Sequence, residues 1–188
     1  MIRKHNEPNK NIAIVGFSNV KIQNINTFLE QFRKETKEAP IQFFDAKKVA
    51  GPQHLYFAAL NALNAFKKKT NISNNLTVES LLYASAQRQI TKAVKMLGIQ
   101  QDTTDVAALI IAENSHKKKD GLGLVTKMIP GECNDSVLEL SNKKIVDIKK
   151  LFGISDLEFE AKLKNQELEK ETLTDLIIER MALLVTKS

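Results

Sequence analysis

The sequence predicts an α/β fold, a single helix-rich domain packed on a small mixed sheet of three to four strands. Short apolar, β-branched runs alternate with longer segments of helical periodicity. The 188 residues include 43% hydrophobic and 27% charged side chains, as ordinary globular chains do. No segment longer than a surface loop resembles a linker. We therefore expect residues 1–10 to form a flexible N-terminal arm and residues 11–188 to form one domain.

The predicted domain begins with a strand, a helix and a second strand. Residues 11–16 (NIAIVG) form a short apolar run, and apolar side chains between residues 22 and 32 then fall at helical spacing. Pro40 ends this helix, and residues 41–44 predict the second strand. Strand, helix and strand in succession predict a right-handed crossover with parallel pairing of the two strands.

Two helical segments follow. An Ala-rich helix starts at Gly51-Pro52 and runs to Lys69, and a turn occupies residues 70–75. A cap at Thr77 then opens a second segment that ends at Leu97. The pattern leaves open whether this second segment is one helix or two.

The second half of the chain predicts one buried strand and several further helices. Residues 105–113 (DVAALIIAE) indicate the strand, and residues 114–121 an exposed loop. A weak helix over residues 122–129 and a short fourth strand over residues 137–140 follow. Ser141 then caps a helix that ends before Gly153.

Two helices close the chain. Ser155 and Glu158 form a capping-box pattern at the start of the first. The second carries apolar side chains along one side, at Leu173, Leu176, Ile177, Met181 and Leu184. This spacing predicts that the last helix buries one face.

The residues that most chemistries require are scarce. One cysteine, Cys133, excludes an internal disulfide framework and a zinc site with several thiolates, and the three histidines lack metal-ligand spacing. Dinucleotide-binding, P-loop and hydrolase motifs do not occur. We therefore expect no catalytic residue, no metal and no cofactor. An apolar run of about 20 residues is also missing, so we expect a cytoplasmic protein that does not bind membranes.

Charge is distributed unevenly along the chain. The net charge is +6, and residues 66–95 hold six basic side chains against one acid, Glu79. Residues 154–180 reverse the balance, with eight acids against four bases. The middle of the chain could therefore bind an anion. A run of charged residues also occurs, however, on the solvated face of any amphipathic helix.

The basic middle is the candidate binding site. If residues 77–97 are helical, Arg88, Lys92 and Lys95 fall on one stripe, while a second stripe faces the core. That second stripe holds Ile90, Ala93, Val94 and Leu97. The predicted RNA-binding set is Lys69, Asn71, Arg88, Gln89, Lys92 and Lys95. With only 6% aromatic residues, a short RNA tail in a pocket fits better than a long stacking channel.

Several blocks in this order resemble one known family, the small kinase-binding subunit of the KEOPS complex in its archaeal form. The blocks are FDAKKVAG at 44–51, His54-Leu55, Asn71-Ile72-Ser73, ESLLY at 79–83, Arg88-Gln89-Ile90 and ERMALL at 179–184. The likeness covers residues 11–186. Residues 1–10 and the lysines at 117–119 are particular to this chain.

The resemblance implies a non-catalytic subunit that binds and activates a small atypical kinase. It also implies recruitment of tRNA by its 3′ CCA end, for threonylcarbamoyladenosine formation at position 37. The threonylcarbamoyl transferase would be reached indirectly, through the kinase. His54 lies in one of the blocks, and as a lone histidine beside an apolar helix it is expected to be structural rather than an RNA contact.

Two alternatives remain open from the sequence. One is a purely protein-binding kinase regulator without direct RNA binding, acting through an exposed apolar patch of about 800 Å² per partner. The other is a small RNA-processing enzyme, which would require a cleft with two convergent carboxylates.

Overall fold

The computed structural model describes residues 5–7, 10–35 and 40–184. These residues form one sheet and eight α-helices, and helix predominates. The predicted helix-rich α/β fold class is thereby confirmed.

The sheet contains five strands. They are β1 (His5–Glu7), β2 (Lys10–Ser18), β3 (Ile41–Asp45), β4 (Val106–Ala112) and β5 (Glu132–Cys133). Their order is β1-β2-β4-β3, and β5 pairs with the C-terminal end of β2. All of these pairings are antiparallel.

Eight α-helices accompany the sheet in the described part of the chain. They are α1 (Ile25–Glu35), α2 (Gly51–Lys68), α3 (Leu76–Ser85), α4 (Ile90–Leu97), α5 (Ser115–Met128), α6 (Asn142–Phe152), α7 (Asp156–Lys162) and α8 (Glu169–Ala182). No helix among the described residues is long and apolar enough to cross a bilayer.

The prediction that β2 and β3 pair in parallel is wrong, and the sheet is antiparallel rather than mixed. Both strands pair antiparallel with β4, which lies between them, as Ile12 opposite Ile111 and Ile41 opposite Ile110 show. The two strands therefore point the same way, as the crossover requires, but they are not neighbours. The reason is that all seven residues of β4 are buried, so it occupies a central position with a partner on each side.

The predicted fourth strand at residues 137–140 is also wrong. Residues 135–138 form a 3₁₀ turn, and the short strand next to β2 is β5. The Asn134 carboxamide sets this turn by accepting hydrogen bonds from the backbone and hydroxyl of Ser136. The turn crosses β2 closely at Gly16, where an added Cβ would lie 2.6 Å from the Asn134 carbonyl oxygen.

The loop predicted at residues 114–121 is instead the start of α5. Asn114 is the N-cap, because its side chain accepts a hydrogen bond from the backbone N–H of Lys117 at 2.9 Å. The three lysines after it therefore lie in the first turns of a helix. Lys118 is buried there, and its ammonium group donates to the Asn11 side chain at 3.2 Å.

The described residues fall into two compact units. The first comprises residues up to 47 together with 98–137, and the second comprises 48–97 together with 138–184. A single domain over residues 11–188 stays a prediction. Of the predicted N-terminal arm, residues 5–7 form β1, and residues 1–4 and 8–9 lie outside the described residues.

Each unit has its own apolar core. In the first, α1 packs on the sheet through aromatic rings, with Phe32 and Phe43 edge to face at 4.8 Å between centroids. In the second, one cluster joins α6, α7 and α8 around Ile148, Phe159 and Leu173. The apolar face predicted for the last helix is confirmed, since all five of its residues are buried.

Helix α3 is the centre of the second unit, and it positions the candidate site. Every residue from Glu79 to Ser85 is buried, and α2, α4 and α8 all pack against this helix. Alanines on α2, among them Ala58, Ala59 and Ala62, are completely buried, which allows close approach of the two helices. The two loops that flank α3 carry four of the six predicted RNA-binding residues.

Candidate nucleic-acid interface

The basic segment forms two helices rather than one. Helix α3 begins after Asn75, whose side chain accepts the backbone N–H groups of Thr77 and Val78, so the cap is Asn75 and not Thr77. It ends at Ala86, which has a left-handed φ of 50°. Residues 87–89 then lead into α4.

This break removes Arg88 from the helical stripe that the sequence pattern predicted. Arg88 lies in the loop before α4, and its Nη1 donates to the carbonyl oxygen of Leu184 at 3.2 Å. Lys92 and Lys95 remain on α4, where both are exposed. The stripe of three cations therefore becomes two helical lysines and one loop arginine.

The six predicted residues are spread along α3 instead of meeting at one point. Lys69 and Asn71 lie in the loop before this helix, and Arg88 and Gln89 lie in the loop after it. Ten helical residues separate the loops, a rise of about 15 Å. Lys92 and Lys95 follow the second loop on α4, and we call the six residues together the basic surface.

The four cations of the basic surface form no ion pair with the described residues. None of the ion pairs found there involves Lys69, Arg88, Lys92 or Lys95, and all four side chains belong to exposed residues. Cations without a neighbouring carboxylate can approach phosphates at no cost of breaking an ion pair.

The acidic C-terminal region behaves differently, because its charges pair with one another. Arg180 contacts Glu158 at 2.8 Å, and Lys162 pairs with Glu179. The ammonium group of Lys149 on α6 holds the pKa of the exposed Asp156 carboxyl, at the start of α7, below its usual range. These contacts tie α6, α7 and α8 together.

The two amide side chains of the set have different roles. Asn71 is half-buried, and its Nδ2 donates to the Ser73 carbonyl oxygen at 3.1 Å, which stabilises the turn that carries it. Gln89 is exposed, and its backbone carbonyl accepts the N–H of Ala93 as α4 begins. Of these two amides, only the Gln89 side chain makes no hydrogen bond to a described residue.

Glu79 lies beneath the loop before α3, and the predicted set omitted it. It is fully buried on α3, and its carboxylate accepts the backbone N–H groups of Ile72 and Ser73. The signal in the sequence was its place as the single acid of the basic region. Its charge is satisfied by the loop backbone, so it does not neutralise the exposed cations by direct contact.

Tyr83 lies one turn beyond Glu79 on α3 and is buried, so its ring packs inside the protein. Burial raises the pKa of its phenol, and the negative charge of Glu79 raises it further. The positive charge of Arg88 acts in the opposite direction. The charges of Glu79 and Arg88 therefore both act on the Tyr83 phenol.

Helix α4 has an exposed apolar edge, which corrects the predicted core stripe. Ala93 and Leu97 are fully buried, as expected, but Ile90 and Val94 are 48% and 41% exposed. At 100° per residue, Ile90 and Val94 adjoin each other on one side of the helix, whereas the lysines lie on roughly the opposite side. We call Ile90 and Val94 the apolar edge.

His54 is structural, as its sequence context predicted. It is fully buried on α2, its Nδ1 accepts the backbone N–H of Ala50, and its Nε2 donates to the Ala84 carbonyl oxygen at 2.7 Å. Both bonds require the neutral ring with its proton on Nε2. Burial lowers the pKa of His54 from its ordinary value of 6.5 to about 4.

No group of three or more His, Cys, Asp or Glu among the described residues could hold a metal ion. In the first unit, a shallow pocket of about 270 Å³ lies between residues 20–23 and 101–104. Gln101 donates across it to the carbonyl oxygens of Ile22 and Gln23, so its walls are fixed by backbone contacts rather than by convergent acids.

Comparison with known proteins identifies the family. Residues 17–184 match the model of the CGI-121 family, described as kinase binding protein CGI-121. The chain belongs to this family. A curated relative, the regulatory protein Cgi121 of Methanocaldococcus jannaschii, is 33% identical over 113 residues, which are 60% of this chain and 70% of the relative.

Membership of the CGI-121 family confirms the relationship that the sequence blocks indicated. The matched range includes both loops that flank α3 and the whole of α4. The basic surface and the apolar edge are therefore parts of the family domain.

Proposed function

We propose that the chain is a non-catalytic KEOPS subunit that binds and activates the small atypical kinase and recruits tRNA through its 3′ CCA end. The complex would form threonylcarbamoyladenosine at position 37 of the tRNA. The transferase that makes it would contact this subunit only through the kinase. One observation carries the RNA part of this proposal. The four exposed cations along α3 and α4 form no ion pair with any described residue.

The positive charge of the basic surface supports RNA recruitment. Lysine and arginine side chains along about 15 Å can contact successive phosphates of an extended strand. Phosphate contacts position an RNA without selecting it, so the exposed amide of Gln89 is the candidate for a base or ribose contact. A flexible single-stranded terminus can reach cations in two separate loops more easily than a rigid duplex can.

Kinase binding is supported by the family description and by the apolar edge of α4. Ile90 and Val94 expose large aliphatic side chains that an apolar partner surface could cover. Leu183 is 51% exposed near the end of α8, and the Arg88 to Leu184 hydrogen bond brings that end to the start of α4. These three residues form the proposed kinase-docking patch. Because the lysines of α4 lie on another side of the helix, both partners can bind at once.

A binding titration tests the RNA part of this function. The protein is titrated against an intact tRNA and against the same tRNA lacking its last three nucleotides. We expect the trimmed tRNA to bind about tenfold more weakly, since several contacts of about 1 kcal/mol or less are lost. Equal affinity for the two tRNAs would contradict recruitment through the CCA end.

The same titration separates the alternative function, a protein-binding regulator without RNA contact. That alternative is favoured by the spread of the six residues along α3. It predicts kinase capture in a pull-down together with no tRNA binding even at low salt, where electrostatic contacts are strongest.

A further inference from the structure

A buried carboxylate lies beneath the loop that carries the first half of the RNA surface. Glu79 is 0% exposed, and its side chain reaches back from α3 to residues 72 and 73. Its Oε1 and Oε2 both lie 3.1 Å from the backbone nitrogen of Ile72, and Oε2 lies 2.7 Å from that of Ser73. Two consecutive N–H groups of the loop therefore donate to one carboxylate.

Burying a carboxylate at this place costs free energy unless hydrogen bonds compensate its charge. An ionised carboxylate without hydrogen bonds would be strongly destabilised in the interior. Here the backbone N–H groups compensate the buried charge, and each charge-assisted hydrogen bond is stronger than a neutral one. An amide in place of the carboxylate has one accepting oxygen, and its NH₂ group would oppose an N–H donor. The loop geometry therefore depends on the acid and not merely on a side chain of that size.

The loop that Glu79 holds is the one that presents Lys69 and Asn71. Lys69 ends α2 in the left-handed conformation, and its backbone N–H and that of Thr70 donate to carbonyls in the last turn of α2. Asn71 hydrogen-bonds Ser73, the residue that Glu79 binds most closely. The position of Asn71 is thus coupled to that carboxylate through one residue.

We propose that Glu79 is a positioning residue for the RNA terminus, because it fixes the loop of residues 71–73 against α3. It does not touch RNA itself. Its hydrogen bonds set the position of Asn71 at one end of α3 relative to Arg88 and Gln89 at the other. The inference rests on the proposed function of RNA recruitment and adds the residue that maintains its geometry.

The test is the Glu79→Gln variant in the titration with intact and trimmed tRNA. We expect the ratio of the two affinities to fall about tenfold, towards one, because the variant loses the loop geometry but no exposed cation. Binding to the trimmed tRNA and to the kinase should be unchanged. In NMR spectra, the amide resonances of Ile72 and Ser73 should shift upfield as the carboxylate is lost.

Ser80→Ala is the matched control on the same helix. Ser80 is fully buried and its hydroxyl donates to the Leu76 carbonyl oxygen, so this variant removes a buried hydrogen bond without touching the loop. A merely structural role for Glu79 predicts that both variants lose thermal stability and retain the affinity ratio. A positioning role predicts that the ratio of affinities for intact and trimmed tRNA falls only in the Glu79 variant.

Glu79→Asp provides a second variant if the glutamine variant does not fold. It keeps the charge but withdraws it from the loop by one methylene group, so the ratio should fall in the same direction by a smaller factor. A folded Glu79 variant with the wild-type ratio overturns the inference. A wild-type protein that does not distinguish the two tRNAs overturns the proposed function first, and the inference with it.

Discussion

Replacing Ile90 and Val94 together with glutamine is expected to weaken binding of the proposed kinase partner about a hundredfold. Both residues are more than 40% exposed on one side of α4, where a partner surface could cover them. Glutamine removes their contribution to an apolar interface and leaves two amides there without assured partners. A hundredfold loss corresponds to about 3 kcal/mol of binding free energy. Calorimetry with the purified kinase measures it directly.

The control is Val146→Gln on α6. Val146 is 65% exposed, so it matches the apolar edge in chemistry and accessibility but lies on a different helix. Kinase affinity and tRNA affinity should both stay at the wild-type level in this control. If the Ile90 and Val94 double variant binds the kinase as the wild type does, the docking patch lies elsewhere.

The stability of the protein should fall as the pH is lowered from 6.5 towards 4, through His54. Burial lowers the pKa of His54 from 6.5 to about 4, so between these values the unfolded chain binds a proton that the folded protein does not. Protonation would also put a donor on Nδ1, opposite the N–H of Ala50, where a hydrogen bond now forms. The stabilisation that results from the lowered pKa of His54 is fully present above pH 6.5. About 3 kcal/mol of it is lost by pH 4.

Denaturant unfolding at several pH values tests this dependence. In His54→Gln, which does not titrate in this range, the free energy of unfolding should be lower at pH 7 but change less between pH 6.5 and 4. His116→Gln is the control, since that ring is 87% exposed beside Asp120. The control should keep the wild-type dependence. An equally steep loss of stability in His54→Gln would assign the effect to other groups.

Local sequence signals predicted most of the elements because those elements are determined by local chemistry. Ser141 and Ser155 cap α6 and α7 as expected, each by accepting a backbone N–H three residues later. Gly153 ends α6 with a left-handed φ of 63°. Such caps depend on neighbouring residues only, so a single sequence is enough to find them.

The arrangement of the sheet could not be predicted in the same way. That β4 separates β2 from β3 depends on contacts between residues about 65 to 100 positions apart, such as Ile41 with Ile110 and Ile12 with Ile111. The apolar run of β4 signalled burial, but burial on two faces is compatible with either parallel or antiparallel neighbours.

The errors in the candidate site have local and non-local causes. Helix α3 ends at Ala86 in the left-handed conformation, which is rare for a residue with a Cβ and carries no sequence signal. Ile90 and Val94 follow the helical pattern of a core stripe, and periodicity cannot distinguish the edge of a core from an interface. Glu79 was visible only as a lone acid, because its partners are backbone groups that any sequence provides.

The salt dependence of tRNA binding tests most directly the central claim that unpaired cations beside α3 receive the RNA end. It compares two triple variants that each remove three positive charges. The site variant replaces Arg88, Lys92 and Lys95 with alanine, and the matched variant replaces the exposed Lys119, Lys127 and Lys150. The slope of log affinity against log salt should fall by about 2 in the site variant, since each single-strand phosphate contact contributes about 0.7. An unchanged slope in the site variant, or an equal decrease in the matched variant, would contradict the claim.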